Sequence, residues 1–275
     1  MRWIVSVSIA EGQKRSWEVV MSKERSEPEA PEPENGAELP TLRAAPHRIN
    51  VPMGAPLEFV LPEVYRYEDM QWIDQFFDSG KLRLSTFAKF ATYKDEQRGD
   101  ANEGQGMSVG HKEDRSIGAF MVEGENAFVL CGSLVANHSI REAMGRNAVF
   151  SIENPLGFAA EVARQLPGFR NAIQGHCIYR KNTIINRATE LDPQTYELAD
   201  GRMDGQIFTD IARELAGPER LLLKAKRYEL QREYRLLWFV DQVRDEFIDI
   251  ECPNARQFCR RVAPEELDPK GFQAR

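Results

Sequence analysis

The sequence predicts an α+β fold in which strand-rich, mixed or antiparallel sheets are packed by a few helices. Three observations predict it. Short β-prone runs outnumber helical ones, and they concentrate in the second half of the chain. Strands do not alternate with helices as a doubly wound sheet requires. There is also no Gly-x-Gly-x-x-Gly and no Walker-type glycine loop, so the common phosphate-loop folds have no support. Of the 275 residues, 42% are hydrophobic and 9% aromatic, which supplies a real core and excludes wholesale disorder.

The opening MRWIVSVSIA has a short apolar run broken by Ser. EGQKRSWE follows where a cleavage site would need small residues, so a non-secreted, cytoplasmic chain is expected, starting at Met1 or Met21. Between Glu24 and Pro40, six Glu and four Pro form a segment that cannot build a core. Residues 1–45 are accordingly expected to be a disordered Pro/Glu-rich segment. Residues 46–262 are expected to form a single catalytic-type domain, and residues 263–275 a flexible tail.

Within that domain, Val64–Tyr67 reads as a strand. Glu68 to Ser79 follows as an amphipathic helix, with Met70, Ile73, Phe76 and Phe77 on one face and Gly80 as a left-handed cap. Lys81–Phe87 alternates as a strand. Leu82, Leu84 and Thr86 share one face, and Arg83, Ser85 and Phe87 the other. Thr92 to Arg115 reads as a long polar loop. Ala127–Val135 and Asn147–Ile152 read as buried strands. Asn154–Pro155 caps a helix that runs to about Leu166 and is closed by Pro167–Gly168. His176–Ile185 is a strand candidate. Gln206–Ala216 is a helix with Ile207, Ile211 and Leu215 in register. Leu221–Lys226, Glu233–Val240 and Phe247–Cys252 close the list of strands.

Net charge is −7, which excludes a protein that mainly coats nucleic acid. Residues 1–45 carry 6 basic and 8 acidic residues, so the remainder keeps −5. No run of 18 apolar residues is present, so no membrane-spanning helix is expected. Cys131, Cys177, Cys252 and Cys259 are scattered without a Cys-x-x-Cys pair; reduced thiols are expected and a structural zinc site is not.

Three segments carry candidate chemistry. Arg66 lies between Tyr65 and Tyr67, and a guanidinium is a planar bidentate donor suited to phosphate. Ser85 and Thr86 follow on the next strand. Gln231 and Glu233 share a face if Gln231–Arg232–Glu233 is extended, at the mouth of an apolar strand. His176 and Cys177 are adjacent, so on a strand they point to opposite faces and cannot pair as nucleophile and base. Lys224, Lys226, Arg227, Arg232 and Arg235 form a basic cluster beside Tyr228 and Tyr234, a local surface for an anion.

In this order the segments resemble the ADP-ribosyltransferase superfamily, in its Arg–Ser–Glu branch. The matching residues are Arg66, Ser85–Thr86–Phe87 and Gln231–Arg232–Glu233. The chain is also similar to a bacterial domain-of-unknown-function family through Tyr65–Arg66–Tyr67, Gly80–Ser85, Leu130–Ser133 and Glu233–Arg235, a likeness covering most of Val64–Val240. It departs from the superfamily at Phe87, and in the long separation of Ser85 from Gln231.

The resemblance implies an ADP-ribosyltransferase-like core that consumes NAD as substrate, without a metal. ADP-ribose would pass to an unknown macromolecular acceptor, protein or nucleic acid, or to water. Arg66 would hold the pyrophosphate, and Glu233 would stabilise the oxocarbenium-like centre. Ser85 would orient Glu233, Gln231 would select the acceptor, Tyr65, Tyr67 or Phe87 would stack on nicotinamide, and Thr86 would join the cofactor-binding residues. A role as toxin or phage-defence effector, with an antitoxin or immunity partner, comes with the same resemblance. Two alternatives stand beside it. One is a metal-dependent nuclease built on Asp95, Glu96, Asp100, Glu103, His111, Glu113 and Asp114. The other is a non-catalytic binding module.

Overall fold

The computed structural model describes the backbone of residues 2–7, 17–22, 44–49 and 57–60. It also describes residues 61–267 apart from 87–88, 90–103, 113–114, 123, 183, 216 and 244. The strands are β1 (Arg2–Val7), β2 (Trp17–Ser22), β3 (Ala44–Ile49), β4 (Leu57–Pro62), β5 (Val64–Glu68), β6 (Lys81–Thr86), β7 (Gln105–Lys112), β8 (Arg115–Val122), β9 (Ala127–Ser133), β10 (Ala148–Ile152), β11 (Phe169–His176), β12 (Ile178–Arg180), β13 (Ile184–Ala188), β14 (Leu223–Ala225), β15 (Glu233–Val240), β16 (Phe247–Glu251) and β17 (Cys259–Arg261). The helices are α1 (Met70–Ser79), α2 (His138–Ala143), α3 (Pro155–Gln165) and α4 (Gln206–Leu215). The protein is therefore α+β and strand-rich, as the sequence predicts.

Contacts divide the chain into two units where the sequence suggests one domain. The first comprises Met1–Ala37, Gly104–Glu123 and Arg180–Ala225. The second comprises Glu38–Glu103, Gly124–Tyr179 and Lys226–Arg275. The first unit holds a mixed sheet ordered β13-β7-β8-β1-β2, in which β1/β8 and β13/β7 are parallel. Helix α4 seats Ile207, Ile211 and Leu215, all fully buried, against Ile117 and Ala119. That spacing is one face of a 3.6-residue helix.

Two expectations change in this unit. Residues 1–45 contribute the strands β1 and β2, while Glu24–Pro40 lies outside the described residues. The stretch read as a polar loop contains β7, which pairs with β8 as a hairpin from Gln105↔Val122 to Lys112↔Arg115.

The second unit carries an antiparallel sheet ordered β11-β15-β9-β5-β10-β17, with β6 and β16 attached beside β9. Its main core covers one face: Val64, Phe150 and Ile152, Phe128 and Leu130, and Tyr234, Leu236 and Trp238. Helices α1 and α3 close that face. Phe76 of α1 stacks on Phe150 with centroids 5.4 Å apart. Trp238 is fully buried and donates its indole N–H to the Ala159 carbonyl of α3 at 2.9 Å, so the largest core side chain leaves no orphaned donor. Asn154 caps α3 by accepting from the Gly157 amide.

The candidate strand His176–Ile185 is broken instead into the end of β11, β12 and the start of β13. The expected tail begins with a short 3₁₀ turn, Pro264–Glu266, and Leu267 is buried against Tyr65, Tyr67 and Val149.

Gly80 ends α1 in the left-handed region, at φ +79°. A Cβ there would lie 2.5 Å from the backbone Cα and N of Pro253. Gly80→Ala combines left-handed strain of roughly 1–2 kcal/mol with overpacking of about 1–3 kcal/mol. Chemical denaturation is expected to show a loss of about 3 kcal/mol; a change under about 1 kcal/mol would contradict this account of the joint.

Candidate functional site

The site is set by the way β5 and β6 share one edge of β9. β5 meets β9 at the Tyr65↔Ser133 rung, and β6 meets it at Ser85↔Val129 and Thr86↔Phe128. Between these contacts the two strands part. Arg66 reaches into the fork: its Nη1 donates to the Cys131 carbonyl of β9 at 2.7 Å and its Nη2 to Glu68 at 3.0 Å. The Cys131 carbonyl, which lies between the two sets of rungs, thereby gains a charged donor.

The fork opens into a cavity of about 480 Å³, within the usual range for small-molecule sites. Arg66 and Ser85 both line it, as do Trp72, Phe150 and Arg146. Its charged lining is Arg66, Lys81, Arg83 and Arg146 against Glu68, Asp249 and Glu251. In a chain of net −7 the described part of this lining is net positive by one. Most of these charges are paired. Arg146 bridges Glu68 at 2.6 Å and Asp69 at 2.5 Å. Arg83 holds Asp249 through two 2.7 Å hydrogen bonds, which lower the Asp249 pKa. Trp72 stands 47% exposed.

The other expected residues lie elsewhere. Strand alternation places Val64, Arg66 and Glu68 on the main-core face of the sheet, and Tyr65 and Tyr67 on the opposite one. The rung Tyr65↔Ser133↔Glu233 puts Glu233 with the tyrosines. Arg66 and Glu233 thus occupy opposite faces. Ser85 sits on the rung of Val129, four residues along β9 from Ser133, roughly 13 Å at strand spacing. Ser85 therefore does not orient Glu233.

Tyr65 and Tyr67 are packed with Ile140, Val149 and Leu267, away from the cavity. Tyr67 donates to the Val135 carbonyl at 2.6 Å and accepts from the Asn137 amide. Thr86 is buried and its hydroxyl accepts from the Lys89 amide. Phe87 lies outside the described residues.

Gln231 and Glu233 do not form an extended pair. Gln231 ends the 3₁₀ turn Lys226–Gln231, and Arg232 takes φ +45° before β15 begins. The Gln231 carbonyl accepts from the buried Ser133 hydroxyl at 2.8 Å. Glu233 is 5% exposed, and its Oε1 accepts from Arg235 Nε at 2.6 Å while its amide donates to the Tyr179 hydroxyl.

The expected basic cluster dissolves in the same way. Arg235 is buried in that pair, Arg227 lies over the Tyr228 ring, and Tyr234 is in the core.

Of the acidic loop, Asp95, Glu96, Asp100, Glu103, Glu113 and Asp114 lie outside the described residues. His111 is described, and its ring nitrogens meet Ser116 and Asn186. Among the described residues no group of three His, Cys, Asp or Glu side chains is placed to hold a metal. His176 is exposed on β11, and the Cys177 amide bonds the Glu233 carbonyl.

Sequence reasoning missed Trp72 and Arg146. Trp72 had a signal, because it lies off the apolar stripe of α1. Arg146, in the connection between α2 and β10, had none. Comparison with known protein families, with curated proteins and with solved structures finds no match to this chain.

Two outcomes follow from the opposite face. Glu233→Gln removes the carboxylate that the buried Arg235 guanidinium meets at 2.6 Å, so denaturation is expected to show a loss of about 3–5 kcal/mol. Replacing both with apolar residues, Glu233→Leu with Arg235→Met, is expected to recover most of it; a harmless Glu233→Gln would refute the structural role.

Burial also pushes the hydroxyls of Tyr67 and Tyr234 up to about 12 and raises that of Tyr179, where the charges of Cys177 and Glu233 add to the effect. The unfolded chain loses these protons first, near pH 10. Stability from keeping the three neutral is therefore complete below about pH 10 and falls as pH climbs toward 12. Circular dichroism and tyrosinate absorbance should show unfolding and ionisation together; ionisation of all seven tyrosines near pH 10 without unfolding would contradict it.

Proposed function

We propose that the fork cavity binds a nucleotide of the NAD class and that the chain acts as an ADP-ribosyltransferase-like protein. The observation that carries this reading is that Arg66 and Ser85, two of the residues the resemblance singles out, line one cavity. Arg66, Arg146 and Lys81 offer cations to a pyrophosphate, and the exposed Trp72 offers a ring for stacking.

The reaction breaks the bond between nicotinamide N1 and ribose C1′. Nicotinamide leaves neutral with the bonding pair, and C1′ gains a bond to the acceptor oxygen or nitrogen, or to water, whose proton passes to solvent. A carboxylate beside C1′ stabilises the positive charge that develops. Glu233 does not face this cavity. Glu68 and Asp249 are held by arginines, and Glu251 has no side-chain partner among the described residues. Glu251 takes the role that the resemblance gave to Glu233.

The burial and pairing of Glu233 favour a second reading, in which the cavity binds the nucleotide without turning it over.

Calorimetry with NAD and chromatography of released nicotinamide separate these readings. Expected for the first is saturable binding, weakened at least tenfold by Trp72→Ala, with nicotinamide release that Glu251→Gln abolishes in a protein that still binds. Binding without release supports the second reading. Absence of binding rejects both.

A further inference from the structure

A second cavity, of about 240 Å³, lies under the N-terminal turn of α1 in the same unit. Its walls are built by Ile73, Val149, Val262 and Leu267, with Arg141 and Arg261; the other described lining residues are uncharged, and the polar one, Asn147, has its Oδ1 engaged by the Met70 amide. Among the described residues, two guanidiniums therefore line it and no carboxylate does. The fork cavity, by contrast, matches four cations with three carboxylates.

The two arginines differ. Arg261 is neutralised by Asp74 at 2.6 Å and lies over the Phe77 ring. Arg141 makes no side-chain hydrogen bond or ion pair among the described residues, and its Nε is buried without a partner. Its position is fixed from behind. Asn137 caps α2 by accepting from the Ser139 and Ile140 amides, and the Asn137 amide in turn bonds the buried Tyr67 hydroxyl. Arg141 is therefore presented from an anchored turn.

A cation desolvated beside apolar walls lacks the counter-charge that would offset its burial. An anion supplies it, and the apolar walls select which anion. A phosphate needs hydrogen-bond partners around all its oxygens, which Ile73, Val149, Val262 and Leu267 do not provide. A carboxylate is polar at one end only and matches a guanidinium with two parallel hydrogen bonds.

We propose that this cavity binds a small monocarboxylate with a short apolar body, its carboxylate on Arg141. The volume is just below that of drug-sized sites, which fits a ligand of fragment size. The site is separate from the fork cavity and stands whether or not NAD binds there.

Calorimetry on the full chain tests it, with benzoate as probe, benzyl alcohol as the neutral control and inorganic phosphate as the anionic control. Benzoate is expected to bind at one saturable site, with both controls at least tenfold weaker. Arg141→Gln is expected to weaken benzoate at least tenfold with an unchanged melting midpoint. Ala263→Phe fills the cavity without altering its charge, and is expected to block benzoate while leaving any NAD binding unaffected. If Arg141→Gln fails to fold, the Ala263→Phe result decides. No saturable benzoate binding, equal binding of benzyl alcohol or phosphate, or full benzoate binding in both variants would overturn the proposal.

Discussion

The second unit depends on the competition of two strands for one edge of β9. A strand edge offers each amide and carbonyl once. β5 takes the Ser133 end and β6 the Phe128 and Val129 end, and neither ladder reaches Cys131. A carbonyl stranded there would cost of the order of 1–3 kcal/mol if left dry and unpaired. Arg66 removes that cost and is itself half-buried against Glu68. With the fork sealed, β6 can turn outward to pair with β16, α1 can bridge the gap above Phe150, and a cavity remains between them. An arginine that looks like a ligand group in the sequence is thus first a structural donor. Any anion in the fork has to share a guanidinium already engaged by a carbonyl and a carboxylate.

Strand parity then decides which charges can cooperate. Along β15, Tyr234, Leu236, Trp238 and Val240 enter the main core, so Glu233 and Arg235 are left on the other face. Both are nearly inaccessible there, and they neutralise each other at 2.6 Å. A pair desolvated to that degree gains little over an apolar pair of equal volume, yet it tolerates no single-sided change. It acts as a constraint on register, because a slip of one residue along β15 would drive both charges into the aromatic core.

Local elements of the second unit were legible because their periodicities are strong. The helix with Ile73 and Phe76 buried, its Gly80 cap, the leucine face of β6 and the cap at Asn154 all follow from spacing and backbone preference. The β7–β8 hairpin was not legible for a physical reason. The buried positions of β7 are Gly106, Ser108 and Gly110, so the inner face of a strand has the composition of a loop. At Gly110 the small residue is required by close packing, since a Cβ would lie 2.6 Å from Thr189 Cγ2. Hydropathy does not detect a face that is buried by being small. Of the site, Arg66 and Ser85 could be read from local motifs. The separation of Arg66 from Glu233 could not, because it depends on the left-handed turn at Arg232 and on which rung of β9 each strand meets.

Charge itself proves a poor guide unless its partners are counted. Arg235 belongs to a basic cluster of the sequence, yet the Glu233 carboxylate engages it in the fold. Arg66, Arg83 and Arg146 bring three guanidiniums to one cavity, and Glu68, Asp69 and Asp249 answer them nearly one for one. Arg141 stands alone in sequence and attracts no notice, but no described residue neutralises it where the chain places it. Field strength at a site is set by the charges left over after folding, in a medium where each leftover charge counts for more than it would in water. For this acidic protein, the places able to hold an anion are therefore decided by tertiary pairing, and composition bounds only their number.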